Sequence, residues 1–507
     1  MKEIEQRTIK EQEQIRRESL ARLQSLGLDP YKHLEFHVNT TIEEVITKCK
    51  DDPMACTDIS IAGRVMQKRI MGNAAFIELQ DSTGRLQLYI SKNDLSKEGD
   101  IELYQEVFKK LLDIGDIIGI KGFSFLTKTG QLTAHVKNLQ ILSKALRPFP
   151  VVKIDNQGLA HDAFNEPEAR HRMRYVDYTV NPDRKKIVKI RAQLLTALRT
   201  FFNSYNWIEI DTPILQPIHG GAAARPFQTF HNDLGINLFL RIANELYLKR
   251  MIVAGFDGVY EIGKMFRNEG IDKTHNPEFT SVELYVAYHD YIWMMEIVEK
   301  LLEYITLHIH KTSVVTINGK QIDFKGPYKK ISMLDAIKQY TDIDVSNLTT
   351  PELQTVCKKL KIEIDTRYSS AKLIDLIFSK YVEPHLIEPT FIIDHPIETT
   401  PLAKKHRDNA KLAERFELFI NKKEIANAYS ELNDPIDQRE RFMQQAELNA
   451  KGDDEAMQLD EDFIKALEYG MPPTAGLGIG IDRLLMLMTD EESIQEVLLF
   501  PQMRPKK

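Results

Sequence analysis

Residues Val259 to Ala287 read VYEIGKMFRNEGIDKTHNPEFTSVELYVA, and this stretch decides the architecture of the larger part of the chain. Val259 to Arg267 reads as a strand, Asn268 to Pro277 as a loop and Glu278 to Ala287 as a second strand. Strand alternation puts Phe279, Ser281, Glu283 and Tyr285 on one face. An aromatic ring, a carboxylate and a phenol make an unusual lining for an apolar core. Arg267 ends the incoming strand beside the loop, where its forked donors suit a phosphate. On spacing alone, a salt bridge from Glu283 to a lysine or arginine of the chain fits equally well.

Two later stretches belong with this one. Phe416 to Glu431 reads FELFINKKEIANAYSE, and a two-residue turn at Asn421-Lys422 makes it a hairpin. Phe419 then pairs with Glu424, and Glu417 lies diagonal to Glu424 on the same face. Two carboxylates so placed repel unless a cation lies between them, and Mg2+ with phosphate oxygens is a natural filler. Two exposed surface glutamates are the plainer alternative. Regular alternation sends Asn427, Tyr429 and Glu431 to the opposite face, so a shared pocket requires a bulge that the sequence does not show. Ala475 to Met488 reads AGLGIGIDRLLMLM, a glycine-rich strand running into an apolar helix with Arg483 in its first turn. Alternating glycines let another group approach the backbone closely. A dinucleotide fingerprint is rejected, because too little chain follows Gly480 for a βαβ unit.

Outward from these segments, Asn181-Pro182-Asp183 opens a helix whose stripe is Ile187, Ile190, Leu194, Leu198 and Phe201, and a short strand follows over Trp207–Pro213. Residues 183–507 thus form one large α/β region, with a mostly helical insertion over 323–390. Residues 146–182, with Pro148, Pro150 and Pro167 among polar residues, read as a linker. Residues 58–145 alternate differently: Ile59, Ile61 and Val65, then Ile77 and Leu79, then Leu86, Leu88 and Ile90. A helix carrying Tyr104, Val107, Phe108, Leu111 and Leu112 comes next, then strands over 116–126 and 131–142. Three strands, a helix and two strands is the order of a five-stranded OB barrel. With the aliphatic residues inside, Arg64, Phe76 and Gln87 face outward and suit base stacking and edge reading. Residues 1–57 begin with closely mixed acids and bases and read as a solvated helical arm.

The whole chain has 507 residues, 43% hydrophobic and 28% charged, which describes an ordinary globular protein. No apolar run reaches the ~18 residues of a membrane helix. The N-terminus carries no apolar signal stretch. Cys49, Cys56 and Cys357 form no CxxC pair, which speaks against structural zinc and fits a reducing, cytoplasmic setting. A net charge of −7, from 67 basic and 74 acidic residues, excludes a general polyanion coat but not a local basic face.

In order and content, Asp183–Pro213, the Phe266–Phe279 segment and Gly476–Arg483 resemble the three signature motifs of class II aminoacyl-tRNA synthetases. With an OB domain in front, the arrangement is similar to the subgroup charging lysine, aspartate and asparagine. His219–Phe227, Arg241–Arg250 and Glu417–Glu431 resemble its bacterial lysyl branch. The resemblance implies an N-terminal OB-fold β-barrel followed by a catalytic domain with a central antiparallel sheet flanked by helices. It implies a homodimer acting on L-lysine, ATP and tRNA(Lys), with Mg2+. Arg267 would hold the ATP α-phosphate and the lysine carboxylate. Phe279 and Arg483 would sandwich adenine, with Glu269, His275 and Asn276 lining the ATP site. Glu417 and Glu424 would bind Mg2+. Gly221 and Glu245 would receive the α-amino group, and Glu283, Tyr285, Asn427 and Glu431 would surround the ε-ammonium. Arg64, Phe76 and Gln87 would read the anticodon.

Three positions depart from the common pattern: Asn244 for proline, Tyr429 for phenylalanine and Gln131 for glutamate. Rival readings are an aspartate or asparagine enzyme, which should place cations or amides against the side chain, and a non-catalytic tRNA-binding paralogue. The paralogue would be expected to lose Arg267, Arg483 or the Glu417/Glu424 pair. A protein-modifying lysyl transferase would be expected to lack the OB domain.

Overall fold

The computed structural model describes residues 2–95, 103–150, 153–154, 160–161, 164–365, 368–450 and 457–505. They fall into two units, Met1–Glu166 and Pro167–Lys507.

The first unit is built on a closed barrel of β1 (Ile59–Met71), β2 (Ala74–Gln80), β3 (Arg85–Ser91), β4 (Ile117–Leu126) and β5 (Leu132–Ser143). The order around the barrel is β1-β2-β3-β5-β4, and a parallel pairing of β3 with β5 closes it. The alternating aliphatics all point inward: Ile59, Ile61, Val65, Ile77, Leu79, Leu88 and Ile90 share one core. The helix after β3 has the wide i→i+5 form over Leu103–Leu111, and its stripe still plugs that core. Helix α1 (Lys2–Ser25) is less solvated than its charge pattern suggests. Leu23 enters the barrel core, and Arg16 donates to the carbonyls of Ala145 (2.8 Å) and Ile114 (3.0 Å).

The second unit is organised by an eight-stranded sheet. Its strands are β6 (Ile208–Glu209), β7 (Gly258–Phe266), β8 (Glu278–Ala287), β9 (Lys329–Ser332), β10 (Thr390–Ile393), β11 (Arg415–Ile420), β12 (Lys423–Ser430) and β13 (Thr474–Gly480). They lie in the order β9-β10-β11-β12-β13-β8-β7-β6. The six inner strands are antiparallel as expected, but each edge strand pairs in parallel, so the sheet is mixed.

One face of this sheet carries the core. Val282, Leu284 and Val286 of β8, Ala475, Leu477 and Ile479 of β13, and Phe416, Leu418 and Ile420 of β11 meet α2 (Lys185–Ser204), α4 (Tyr291–His310) and α6 (Ile481–Thr489). Helix α3 (Glu245–Val253) buries Leu246, Leu248 and Ile252 in a smaller cluster with Tyr285 and Phe463.

The insertion begins with a strand: Lys329–Ser332 joins the sheet, too short to show a period. Its helices, among them α5 (Ser370–Tyr381), then build a core of their own against Ile392 and Phe419. Pro167–Arg172 and Arg174–Val180, within the expected linker, form two short helices of the second unit. Glu496 ties down the first through Arg170 (2.6 Å) and His171 (3.1 Å) and the second through Arg174 (3.6 Å). Much of 151–163 lies outside the described residues.

Candidate active site

The second face of the sheet is a trough to which the centre strand turns its glycines, Gly476, Gly478 and Gly480. On β13, Gly476 lies between Tyr429 of β12 and Tyr285 of β8, and Gly478 lies between Asn427 and Glu283. The core-facing partners Ala475, Leu477 and Ile479 alternate with these glycines, so one strand serves the core on one side and leaves open space on the other. A Cβ on Gly476 would stand 1.9 Å from Glu431 Oε1 and 2.6 Å from Tyr285 Cε1. The resulting cleft encloses about 1170 Å³. All fourteen site residues expected in this unit line it: Gly221, Glu245, Arg267, Glu269, His275, Asn276, Phe279, Glu283, Tyr285, Glu417, Glu424, Asn427, Glu431 and Arg483.

A bulge solves the problem of the hairpin faces. Both turn residues have positive φ, Asn421 at 47° and Lys422 at 65°, as a type I′ turn needs. Phe419 pairs with Glu424 as expected, but the next pair is Leu418 with Ala426, so Ile425 is extra. Ile425 and Ala426 both enter the core. Glu424 and Asn427 therefore share the trough face, and Glu417 lies directly opposite Asn427.

The buried part of the cleft is acidic. Glu245 and Glu431 are 4% and 1% exposed, and Lys249, one turn along α3, is fully buried between them. Lys249 Nζ lies 2.5 Å from Glu245 Oε1 and also contacts Glu431 Oε2. Tyr429 donates to Glu245 Oε2 at 2.6 Å, and Tyr285 donates to Glu283 at 2.9 Å. Glu431 Oε1 has no hydrogen-bond partner among the described residues. Burial pushes the Glu283 carboxyl up to about 7, the Glu245 charge adds to this, and the Tyr285 hydroxyl opposes it. Burial also drives Glu431 upward, with the Glu245 and Glu283 charges adding and Lys249 opposing. A Cβ on Gly221, at φ +87°, would stand 3.0 Å from the Ala243 Cβ and 3.2 Å from the Glu245 Cβ, so the close approach and the left-handed backbone both favour glycine.

The more exposed part is arranged for anions. Arg267 makes no ion pair among the described residues, its Nε is unpartnered, and its guanidinium lies 5.1 Å over the Phe279 ring. Arg483 contacts Glu424 at 3.2 Å and the His275 ring at 3.1 Å, and so joins the stretches 259–287, 416–431 and 475–488. Asp272 holds the His275 ring at 2.8 Å and accepts from the Thr274 and His275 backbone, which fixes the loop. Asn276 donates to the Glu278 carbonyl at 2.6 Å, leaving its own Oδ1 orphaned and buried.

Arg415 holds Glu417 at 2.5 Å and Asn427 at 2.9 Å. Burial raises the Glu417 carboxyl; Arg415 lowers it, and Glu424 raises it again. Each of the two carboxylates also touches a guanidinium, Glu417 that of Arg415 and Glu424 that of Arg483, so the oxygens not so engaged are the ones left for a cation. Among the described residues no group of three or more protein ligands surrounds a metal position. The pair fits an ion that takes its other ligands from phosphate, the habit of magnesium.

A model of the family described as tRNA synthetases class II (D, K and N) matches residues 166–504, and one for the OB-fold nucleic acid binding domain matches 59–142. The chain belongs to the class II tRNA synthetases. The lysine–tRNA ligase of Porphyromonas gingivalis is 55% identical over 500 residues, covering 98% of this chain and 86% of that protein. That of Christiangramia forsetii is 54% identical, covering 98% and 87%, and that of Azobacteroides pseudotrichonymphae 54%, covering 98% and 99%.

The OB-fold of this class II synthetase presents Arg64, Phe76 and Gln87 on the outer face of strands β1, β2 and β3. Phe76 faces Tyr89 across the strands with ring centroids 5.5 Å apart, and Gln87 is held by Thr133 at 2.9 Å. Arg64 is turned aside: it donates to the Gly115 carbonyl at 2.6 Å and lies 4.8 Å over the Phe149 ring. Phe76 is not a scattered apolar residue. Tyr89, Phe125, His135 and Phe123 continue from it as one aromatic surface, with centroid separations of 4.8–5.9 Å. The sequence reading missed these four, although their alternation along β3, β4 and β5 carried the signal. It also missed Lys249 and Arg415. Lys249 was detectable as the residue four after Glu245 on the same helix face.

Proposed function

We propose that the chain is a lysine–tRNA ligase that converts L-lysine and ATP into lysyl-adenylate and pyrophosphate, then passes lysine to the 3′-terminal adenosine of tRNA(Lys). The observation that carries this reading is the juxtaposition of three carboxylates, Glu245, Glu283 and Glu431, with an uncommitted Arg267 in one cleft. A lysine side chain in the acidic part would place its ε-ammonium among Glu283, Glu431, Tyr285 and Asn427. Its α-amino group would reach Glu245 beside Gly221, and its carboxylate would point toward Arg267.

The chemistry needs positioning more than proton transfer. The lysine carboxylate is already ionised, and attacks the α-phosphate as pyrophosphate departs. Arg267 would hold both reacting groups, while Phe279 and Arg483 would sandwich the adenine, with Glu269, His275 and Asn276 around the nucleotide. Magnesium bound with ATP would be held by Glu417 and Glu424, and would supply charge neutralisation to the phosphates. The outer face of the barrel, with Arg64, Phe76 and Gln87, would take the anticodon. The working form would be a homodimer. A substrate without the ε-ammonium would leave carboxylates buried and unpaired; sites of that kind reject analogues by ~10⁴–10⁵.

The aspartate and asparagine alternatives need cationic or amide groups against the substrate side chain. The buried Lys249 there is already engaged by two glutamates, Arg415 by Glu417, and the Asn427 side-chain oxygen by Arg415. Pyrophosphate exchange measured with each of the twenty amino acids tests the reading. Exchange with lysine far above the rest is expected, and exchange with aspartate or asparagine, or with none, overturns it.

A further inference from the structure

Among the described residues, Lys249 is the cation in contact with Glu245 and Glu431; it does not line the cleft, and nothing in the proposed reaction uses it. It is fully buried, its ammonium touches Glu245 and Glu431, and the rings of Tyr429 and Phe463 lie 5.6 and 5.8 Å away. Other acids near the sheet are already matched by other cations: Glu261 by Arg241 at 2.6 Å, and Glu414 by Arg407 at 2.6 Å. Leaving aside Arg267, which the substrate carboxylate would claim, the buried end of the pocket holds the three carboxylates Glu245, Glu283 and Glu431 and the one ammonium of Lys249.

We propose that Lys249 is a positioning residue that sets the charge count of the amino-acid pocket: it holds Glu245 and Glu431 in place and cancels one of three carboxylates, so that a ligand carrying two ammonium groups balances the remainder. The ligand's own carboxylate is left to Arg267. An amino acid with a neutral side chain leaves one carboxylate without a cation, and burying a lone charge is costly. Specificity for a diamino acid thus rests on a cation of the protein as well as on its acids. Lys249 also accounts for how Glu431, with one oxygen unpartnered, stays oriented before substrate arrives. This inference rests on the lysine reading above.

The test is a charge-compensation cycle in the full-length protein, read by lysine-dependent pyrophosphate exchange and by thermal melting. Lys249→Met keeps the side-chain volume and leaves three carboxylates with no cation. It is expected to raise the lysine KM about ten- to hundredfold, the worth of a charged hydrogen bond, while the ATP KM holds. Glu431→Gln alone removes a carboxylate and weakens lysine binding from the other side. Lys249→Met/Glu431→Gln restores the surplus of two negative charges. Its lysine KM is expected to fall well below the product of the two single effects.

Effects that simply multiply, or a Lys249→Met enzyme with an unchanged lysine KM, overturn the proposal. If Lys249→Met melts without cooperativity, recovery of both melting and lysine binding in the double variant supports the count. An unfolded double variant refutes it, because removing both charges should relieve the strain. Wild-type exchange with an amino acid other than lysine would defeat the lysine reading itself. Wild-type exchange with lysine alongside multiplicative variants would defeat only the role given to Lys249.

Discussion

Glu283 shows how a single residue couples burial to function. Its carboxyl is pushed up to about 7 by burial, helped by Glu245 and opposed by Tyr285. A bound ammonium favours the ionised form, so binding releases a proton wherever the free pocket still holds one. Lysine affinity should therefore rise with pH up to about 7 and level off above it. The lysine KM between about pH 5.5 and 8 measures this, and a flat profile would remove Glu283 from the ammonium site. The stability sign is the reverse. The folded state holds this proton more tightly than the unfolded chain, whose carboxyl keeps the ordinary value of 4.5, so the Glu283 contribution declines as pH climbs from 4.5 through 7. A second residue-level prediction concerns Glu431→Gln. It should lower lysine activation about ten- to hundredfold with a near-native melting temperature, since Lys249 keeps Glu245. Near-wild-type exchange would defeat the assignment.

At the scale of elements, the site depends on one bulge and one strand of glycines. The spacing of Phe416 to Glu431 gives the hairpin, its turn and the pairing of Phe419 with Glu424, all of which the structure contains. The extra residue at Ile425 was invisible, because both Ile425 and Ala426 are apolar and either suits the core. Only the closing of β12 against β13 selects the register that puts Asn427 opposite Gly478. Gly476→Ala should abolish lysine activation while leaving the barrel's RNA binding intact, because its Cβ would collide with Glu431 and Tyr285. Retained pyrophosphate exchange would show that the trough can widen. On the barrel, Phe76→Ala breaks an aromatic surface that runs through Tyr89 to His135. It should impair tRNA charging and spare adenylate formation; equal loss in both assays would make Phe76 structural.

The whole molecule consists of two units with separate cores. The second unit contains every residue of the proposed activation step. A chain of residues 167–507 is expected to catalyse pyrophosphate exchange but to charge tRNA poorly. A fragment that folds, judged by cooperative melting, and fails in exchange would show that activation needs the barrel.

Much of this organisation was written in local pattern. Alternating aliphatics marked the barrel strands, a 3.6-residue stripe marked the helices, and polar residues at alternate positions of β8 marked the face that could not be core. Those features follow from backbone periodicity, which acts between near neighbours in the chain. The pairing of Lys249 with Glu431, the bulge that turns Asn427 into the trough, and the turning of Arg64 toward Phe149 were decided by tertiary structure alone. Each depends on groups from distant elements competing for one another after burial has removed water as a partner. That competition has no period, and it is settled only when the sheet closes.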